Sequence, residues 1–315
     1  MNMKKFICCF SCIALITISI IYSGRLLQPN FTIDALNAID AFHDMPENSI
    51  DVIACGSSHV WKGFNAQTIT DKYNLNTYNY GCNWQFFNTT SLFFQDALRS
   101  QTPKVVLIET YNVDKIHQDE DLNGEIYYTR AISDFPGKRQ YLKQCFGDNK
   151  DRYLSYYIPL LAFHENWANI NMYSFDPGTS TEEFIASRGF SGHDNITPVT
   201  ISAPGTFEQK ELPESSVEIL DNMVNICHEK NIELIFYTVP YEGEYNYSNA
   251  LSKYASANNC TYIDFFKLMD ETGLDCETDF MDFEHLNTNG ATKIADYLGE
   301  YITTHYSIKT TGYKD

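Results

Sequence analysis

The chain has 315 residues, of which 43% are hydrophobic and 20% charged, enough for one large globular core and ordinary for a folded protein. Its 22 basic and 41 acidic residues give a net charge of −19. That excludes nucleic acid as a partner, because phosphate binding needs a basic surface that releases counterions, and it argues against broad electrostatic contact with anionic lipid.

The first element is an apolar run from Phe6 to Tyr22, preceded by Lys4 and Lys5 and followed by Ser23-Gly24-Arg25. Seventeen residues without a charge reach the low end of a bilayer span, roughly 17–25 residues. No small-x-small cleavage site follows the run, so residues 1–25 read as an uncleaved signal anchor, with the membrane tether at 6–22. The lysines stay cytoplasmic, which places the chain from about Arg25 onward on the extracytoplasmic side, as a cell-surface ectodomain. Six cysteines remain there: Cys55, Cys82, Cys145, Cys227, Cys260 and Cys276. Export permits disulfides, and the sequence does not choose among the pairings. No C-x-x-C or His-x-x-x-His spacing is present, so neither a metal nor a cofactor is expected.

Residues 26–50 read as a tether and a short helix, Ile33 to Phe42. An apolar strand, Asp51–Cys55, runs into Gly56-Ser57-Ser58-His59, and a helix follows from about Asn65 to Tyr73. A second strand, about Asn76–Tyr80, ends at Gly81. A helix from about Phe86 to Arg99 leads to the buried strand Lys104–Glu109. Such alternation implies a parallel sheet with helices on both faces, an α/β three-layer sandwich of the flavodoxin-like kind.

From about 113 to 213 the alternation stops. Turns at Pro136-Gly137, Asp176-Pro-Gly178 and Pro204-Gly205 punctuate the stretch, with helices at about Lys138–Phe146 and Ser155–Ile170. It reads as an insertion in one domain, 26–315, that covers a sheet edge or builds a pocket. Alternation then returns with the amphipathic helix Glu214–Lys230, the strand Glu233–Val239, a helix at about Tyr247–Asn258 and the strand Thr261–Phe265. The loop Asp282-Phe-Glu-His285 precedes a final helix from Thr288 to about His305.

Ligands of parallel sheets bind beyond the carboxyl ends of the strands, where Ser58 stands. A serine hydroxyl is unreactive without a base, and His285 with Asp282 three residues before it supplies a base and its orienting carboxylate. Gly81 and Asn112, after the second and third strands, are the candidate oxyanion donors, with Asn83 as a competitor. His59 reads as a pocket wall, Asp279 as a solvated or supporting carboxylate, and His164 as a structural histidine.

The blocks Gly56-Ser57-Ser58, Asn79-Tyr80-Gly81 and Asp282-x-x-His285 resemble those of the SGNH (GDSL-type) hydrolases. The tail Asp279-x-x-Asp282-x-x-His285-Leu-Asn287-x-x-Gly290 is similar to the exported acyl-transfer branch, which includes the teichoic-acid D-alanyl-transfer and alginate O-acetylation proteins. The resemblance spans about 50–112 and 214–305. It implies Ser58 as nucleophile, His285 as base, Asp282 as its orienter and Gly81 as an oxyanion donor. Two positions depart from the pattern: Ser57 replaces an aspartate, and Glu109-Thr-Tyr-Asn112-Val-Asp114 stands where Gly-x-Asn-Asp is usual. The expectation is a membrane-anchored serine esterase or O-acyltransferase acting on acylated carbohydrate or another ester, with a membrane acyltransferase as implied partner. The alternative is a non-catalytic binding or accessory protein of the same fold.

Overall fold

The computed structural model describes residues 3–116, 125–202 and 206–312, so the expected turn at Pro204-Gly205 lies outside the described residues. The chain begins with helices α1 (Met3–Leu26) and α2 (Asn30–His43). Strand β1 (Val52–Gly56) leads into a one-turn helix, α3 (Ser58–Trp61), then α4 (Ala66–Tyr73), β2 (Thr77–Gly81), α5 (Phe87–Ser100) and β3 (Val105–Glu109). Among the described residues, five short helices follow: α6 (Glu125–Tyr128), α7 (Pro136–Phe146), α8 (Lys150–Tyr157), α9 (Pro159–Phe163) and α10 (Thr181–Ala186). Regular alternation resumes with α11 (Glu214–Lys230), β4 (Glu233–Thr238), α12 (Ser248–Ala257), β5 (Thr261–Asp264), α13 (Met269–Thr272) and α14 (Thr288–His305).

All five strands are parallel, in the order β2-β1-β3-β4-β5, which is the flavodoxin-like arrangement. Strands β1, β3 and β4 are short, largely apolar runs because both of their faces are covered. Alternate residues divide between two cores. Ile53, Cys55, Val106, Ile108 and Phe236 pack against α2, α5, α11 and α12. Val52, Ala54, Val105, Leu107 and Ile235 pack on the opposite side against α4 and α14, whose Ile294, Leu298 and Ile302 are fully buried. Asparagines in the left-handed conformation, Asn74 and Asn231, stop α4 and α11, a backbone region that Asn tolerates through its short polar side chain.

The stretch between β3 and α11 shares the first of these cores through Tyr128, Leu142, Phe146, Tyr156 and Phe184. One expectation there is corrected. Ser155–Ile170 is not a continuous helix: α8 ends at Tyr157, Ile158 leaves helical geometry at φ −121°, ψ 87°, and α9 starts afresh at Pro159. Proline has no N–H to donate into a preceding turn and pushes its neighbour out of the α region. A 3₁₀ segment, His164–Asn169, completes the stretch. Cys55, Cys82, Cys145 and Cys227 are buried within the core. Helix α1 is apolar between Lys5 and Arg25, with a mean hydropathy of 2.3 over its most apolar 18 residues, and is long enough to cross a membrane.

Candidate active site

The chain runs from β1 outward to β2 and then returns past β1 to β3, so the crevice between β1 and β3 is the topological switch point of the sheet. Ser58 follows β1, and Tyr111 and Asn112 follow β3. A short capped turn lifts Ser58 above the sheet. Ser57 Oγ accepts the His59 N–H at 3.4 Å, and the Val60, Trp61 and Lys62 N–H groups close onto the Ser57 and Ser58 carbonyls. This turn lies directly on the ends of β1 and β2, whose Gly56 and Gly81 are register partners. A Cβ on Gly56 would lie 2.5 Å from Val60 Cγ2, and one on Gly81 2.9 Å from the Trp61 nitrogen. Both positions need glycine for this close approach rather than for a special dihedral angle.

Asn79 fastens the turn from below. Its buried Nδ2 donates to the Val60 carbonyl at 2.6 Å and the Phe64 carbonyl at 2.8 Å, while its Oδ1 accepts the Gly81 N–H at 3.1 Å. Sequence reading placed Asn79 in a motif but gave it no task.

His285 sits near the end of a closed loop. Phe280 and Leu286 form an antiparallel bridge, the Met281 N–H donates to the His285 carbonyl at 2.9 Å, and the Asn287 N–H donates to the Asp279 carbonyl at 2.9 Å. Asn287 then caps α14, accepting the Asn289 and Gly290 N–H groups at 3.1 Å each. Asp279 is fully buried, accepting from Lys293 Nζ at 2.6 Å, the Asp275 N–H at 2.8 Å and Asn289 Nδ2. The expectation of a solvated carboxylate is therefore corrected for Asp279. Its charge is buried because a lysine and several N–H donors compensate it.

The structure brings Ser58, Asp282 and His285 together across 227 residues of chain. Asp282 Oδ1 lies 2.9 Å from His285 Nδ1 and also accepts the His285 and Glu284 N–H groups at 2.8 Å. With Nδ1–H donating to the carboxylate, Nε2 is left as an acceptor, and it stands 2.7 Å from Ser58 Oγ. A serine so placed is able to pass its proton to the ring as its oxygen attacks an acyl carbon.

Burial favours that protonation state. Burial lowers the His285 pKa and nearby Lys62 lowers it further, against the opposing pull of Asp282, so the ring is neutral at neutral pH. Burial acts to raise the Asp282 pKa, but the Glu284 N–H and the His285 charge outweigh it, and the net shift is downward. Asp282 therefore stays ionised.

A cleft of about 360 Å³ opens beside this group, lined by Ser58, Lys62, Asn83, Trp84, Tyr111, Asn112, Lys115, Glu284 and His285. Neither candidate oxyanion donor points into open space here. The Gly81 N–H is held by Asn79 Oδ1, and Asn112 Nδ2 donates to the Gln85 carbonyl at 2.5 Å. Asn83 lines the cleft and its carbonyl accepts from Tyr128 Oη at 3.1 Å. His59 is buried behind Tyr111 and is not among the residues lining the cleft; its ring stacks on Tyr111 with centroids 3.8 Å apart and lies 5.2 Å from the His285 ring. Burial, with the charges of His285 and Lys115, holds its pKa well below the usual histidine range. His164 is exposed in the 3₁₀ segment, remote in sequence from every cleft residue, with Nδ1 at 3.0 Å from the Leu161 carbonyl.

Two further groups were not singled out from sequence. Glu109 ends β3 as a buried carboxyl; its Oε1 accepts the Tyr111 N–H at 2.8 Å, and burial pushes its pKa up to about 8. An acidic residue closing an apolar strand is the signal that marks it. Lys62 and Lys115 bring positive charge to the cleft of a strongly acidic protein, and Lys115 Nζ lies 4.5 Å from the Tyr111 ring centroid.

No family model matches this chain, and no curated protein matches it in sequence. Among solved structures, a crystal structure of a candidate acylhydrolase from Bacteroides fragilis is similar at 11% identity and a TM-score of 0.42, covering 84% of this chain and 93% of that one.

Proposed function

We propose that this chain is an extracytoplasmic serine esterase or O-acyltransferase of the SGNH (GDSL-type) kind, acting on acylated envelope glycans or similar esters. One observation carries the reading: Ser58 Oγ, His285 and Asp282, far apart in sequence, form a continuous hydrogen-bonded relay at the switch point of the sheet. Ser58 Oγ attacks the acyl carbon while His285 Nε2 takes its proton. The departing alcohol oxygen then receives that proton, leaving an acyl-serine. Water or a sugar hydroxyl attacks the acyl-serine, gives its proton to His285, and frees Ser58. Asp282 holds the ring in the accepting tautomer and stabilises its charged form. Gly81 and Asn112 serve as oxyanion donors once released from Asn79 and from the Gln85 carbonyl.

In this reading residues 1–25 are a signal anchor, residues 26–315 the SGNH-like domain, and 113–213 its insertion. Lys4 and Lys5 hold the N-terminus in the cytoplasm, so the cleft faces outward, where a membrane acyltransferase supplies acyl groups.

A second reading is a non-catalytic binding or accessory protein of an envelope acylation system. The engagement of both oxyanion candidates by neighbouring acceptors favours it. Release of nitrophenol from 4-nitrophenyl acetate by the detergent-solubilised chain separates the two. The catalytic reading expects turnover that Ser58→Ala lowers by at least about 10³-fold. Equal rates from both proteins would leave the binding reading in its place. Acetyl transfer to added sugar hydroxyls, read by mass spectrometry, distinguishes transferase from esterase.

A further inference from the structure

Residues 153–175 differ from the rest of this acidic chain. These 23 residues hold seven aromatics and a single acidic residue, Glu165, with no lysine or arginine. Large apolar side chains stand in solvent along the stretch, among them Leu154, Tyr157 and Leu161, with Trp167 72%, Met172 80% and Phe175 61% exposed. Exposed apolar groups concentrated in one segment mark a surface that something covers.

What covers it follows from where α1 ends. The backbone of α1 at Gly24 packs so closely on α9 that a Cβ there would lie 3.0 Å from the Leu160 nitrogen. Asn166 Nδ2 donates to the Leu27 carbonyl at 3.1 Å, and residues 26–29 share a crevice with Asn166, Ile170 and Ser174. The segment is therefore fastened around the base of the apolar helix. A helix of 24 residues is about 36 Å long, against about 30 Å of bilayer hydrocarbon. Its last turn then emerges at the boundary between hydrocarbon and headgroups. Aromatic and apolar side chains with little charge are the composition that settles at that depth.

We propose that residues 154–175 lie in the interfacial layer of the same membrane leaflet from which α1 emerges. The segment forms a second membrane contact that fixes the tilt of the whole domain. The inference rests on α1 spanning the bilayer. Trp167, Met172 and Phe175 enter the headgroup and upper acyl region. The acidic remainder of the surface, repelled by anionic lipid, stays in water. Attachment at two points turns a freely swivelling ectodomain into one held at a set orientation.

The test is tryptophan fluorescence of the full-length chain in phosphatidylcholine vesicles carrying doxyl quenchers near the headgroup end or near the tail end of the acyl chain. The component lost in Trp167→Phe is expected to be quenched most by the headgroup-end label and to be inaccessible to iodide. The double change Met172→Glu with Phe175→Glu is expected to reduce that quenching while far-ultraviolet circular dichroism stays the same. A Trp167 component quenched by iodide and indifferent to doxyl lipid would overturn the inference, as would one shielded from both, which means coverage by protein. A chain that fails to float with vesicles removes the anchor reading of α1 and this inference together. A floating chain with Trp167 in water removes this inference alone.

Discussion

Asp279 and Asp282 stand three residues apart on one loop and occupy opposite environments. Asp279 is fully buried and paired with Lys293 at 2.6 Å, whereas Asp282 is 43% exposed and faces His285 Nδ1 at 2.9 Å. Removing one partner of a buried pair strands the other charge, so Asp279→Ala is expected to lower unfolding stability by about 3–5 kcal/mol. Asp282→Ala is expected to change stability by less than about 1 kcal/mol, yet to cut kcat by about 10²–10⁴. Denaturant titration and esterase kinetics on the two variants separate these outcomes. A kinetic defect of equal size in a fully folded Asp279→Ala protein would contradict the division.

The acid limb of the pH–rate profile reports the base. In the proposed mechanism His285 must be neutral to accept the Ser58 proton, and its pKa lies below the ordinary histidine value. We therefore expect kcat/KM to rise with pH through a midpoint below about 6.5 and to be level at neutral pH. Lys62 disfavours the imidazolium, so Lys62→Gln is expected to raise the His285 pKa and move the limb to higher pH. A shift to lower pH would show that Lys62 does not act through charge.

Glu109 makes stability depend on pH. Its folded pKa, about 8, lies above the unfolded carboxyl value of 4.5, so the folded state holds the proton more tightly. Its contribution is fully present below about pH 4.5 and is lost as pH rises towards 8. The loss reaches up to about 4 kcal/mol at the upper end. Glu109→Gln keeps an oxygen for the Tyr111 N–H and removes the ionisation. Its melting temperature is expected to exceed that of the parent near pH 8 and to match it near pH 4.5.

Gly56→Ala places a methyl group against Val60 and Glu109, at 2.5 and 2.9 Å before relaxation. The overpacking is expected to cost about 1–3 kcal/mol. The turn that carries Ser58 must rise to make room, and a displacement near 1 Å lowers kcat by about 10²-fold. Full activity in a folded Gly56→Ala protein would show that the close approach is not needed.

Most of the architecture was legible because it rests on local pattern. The apolar runs at Val52–Gly56, Val105–Glu109 and Glu233–Thr238 are strands, and α11 and α14 begin and end where their capping residues and periodicity indicate. Pro159 was legible too, but the apolar residues on both sides of it imitated one helix. The meeting of Ser58, Asp282 and His285 was expected from the serine past the first strand, the Asp-x-x-His spacing before the last helix, the resemblance these blocks carry, and ligands binding beyond strand ends. Other features depend on three-dimensional contacts that no spacing reveals. Asn79 holds both the Ser58 turn and the Gly81 N–H, Asn112 is turned to the Gln85 carbonyl, and Asp279 is buried by a lysine on the following helix. The two lysines of the cleft come from separate loops without charge patterning, so the sequence alone did not join them.

The central claim is that Ser58 is a nucleophile activated by His285. The most direct measurement is reaction of the full-length chain with a serine-reactive fluorophosphonate, followed by mass spectrometry of its peptides. The account predicts one phosphonyl adduct on the peptide carrying Ser58, absent from Ser58→Ala and formed far more slowly in His285→Ala. A chain that takes up no adduct, or one whose adduct persists in Ser58→Ala, contradicts it.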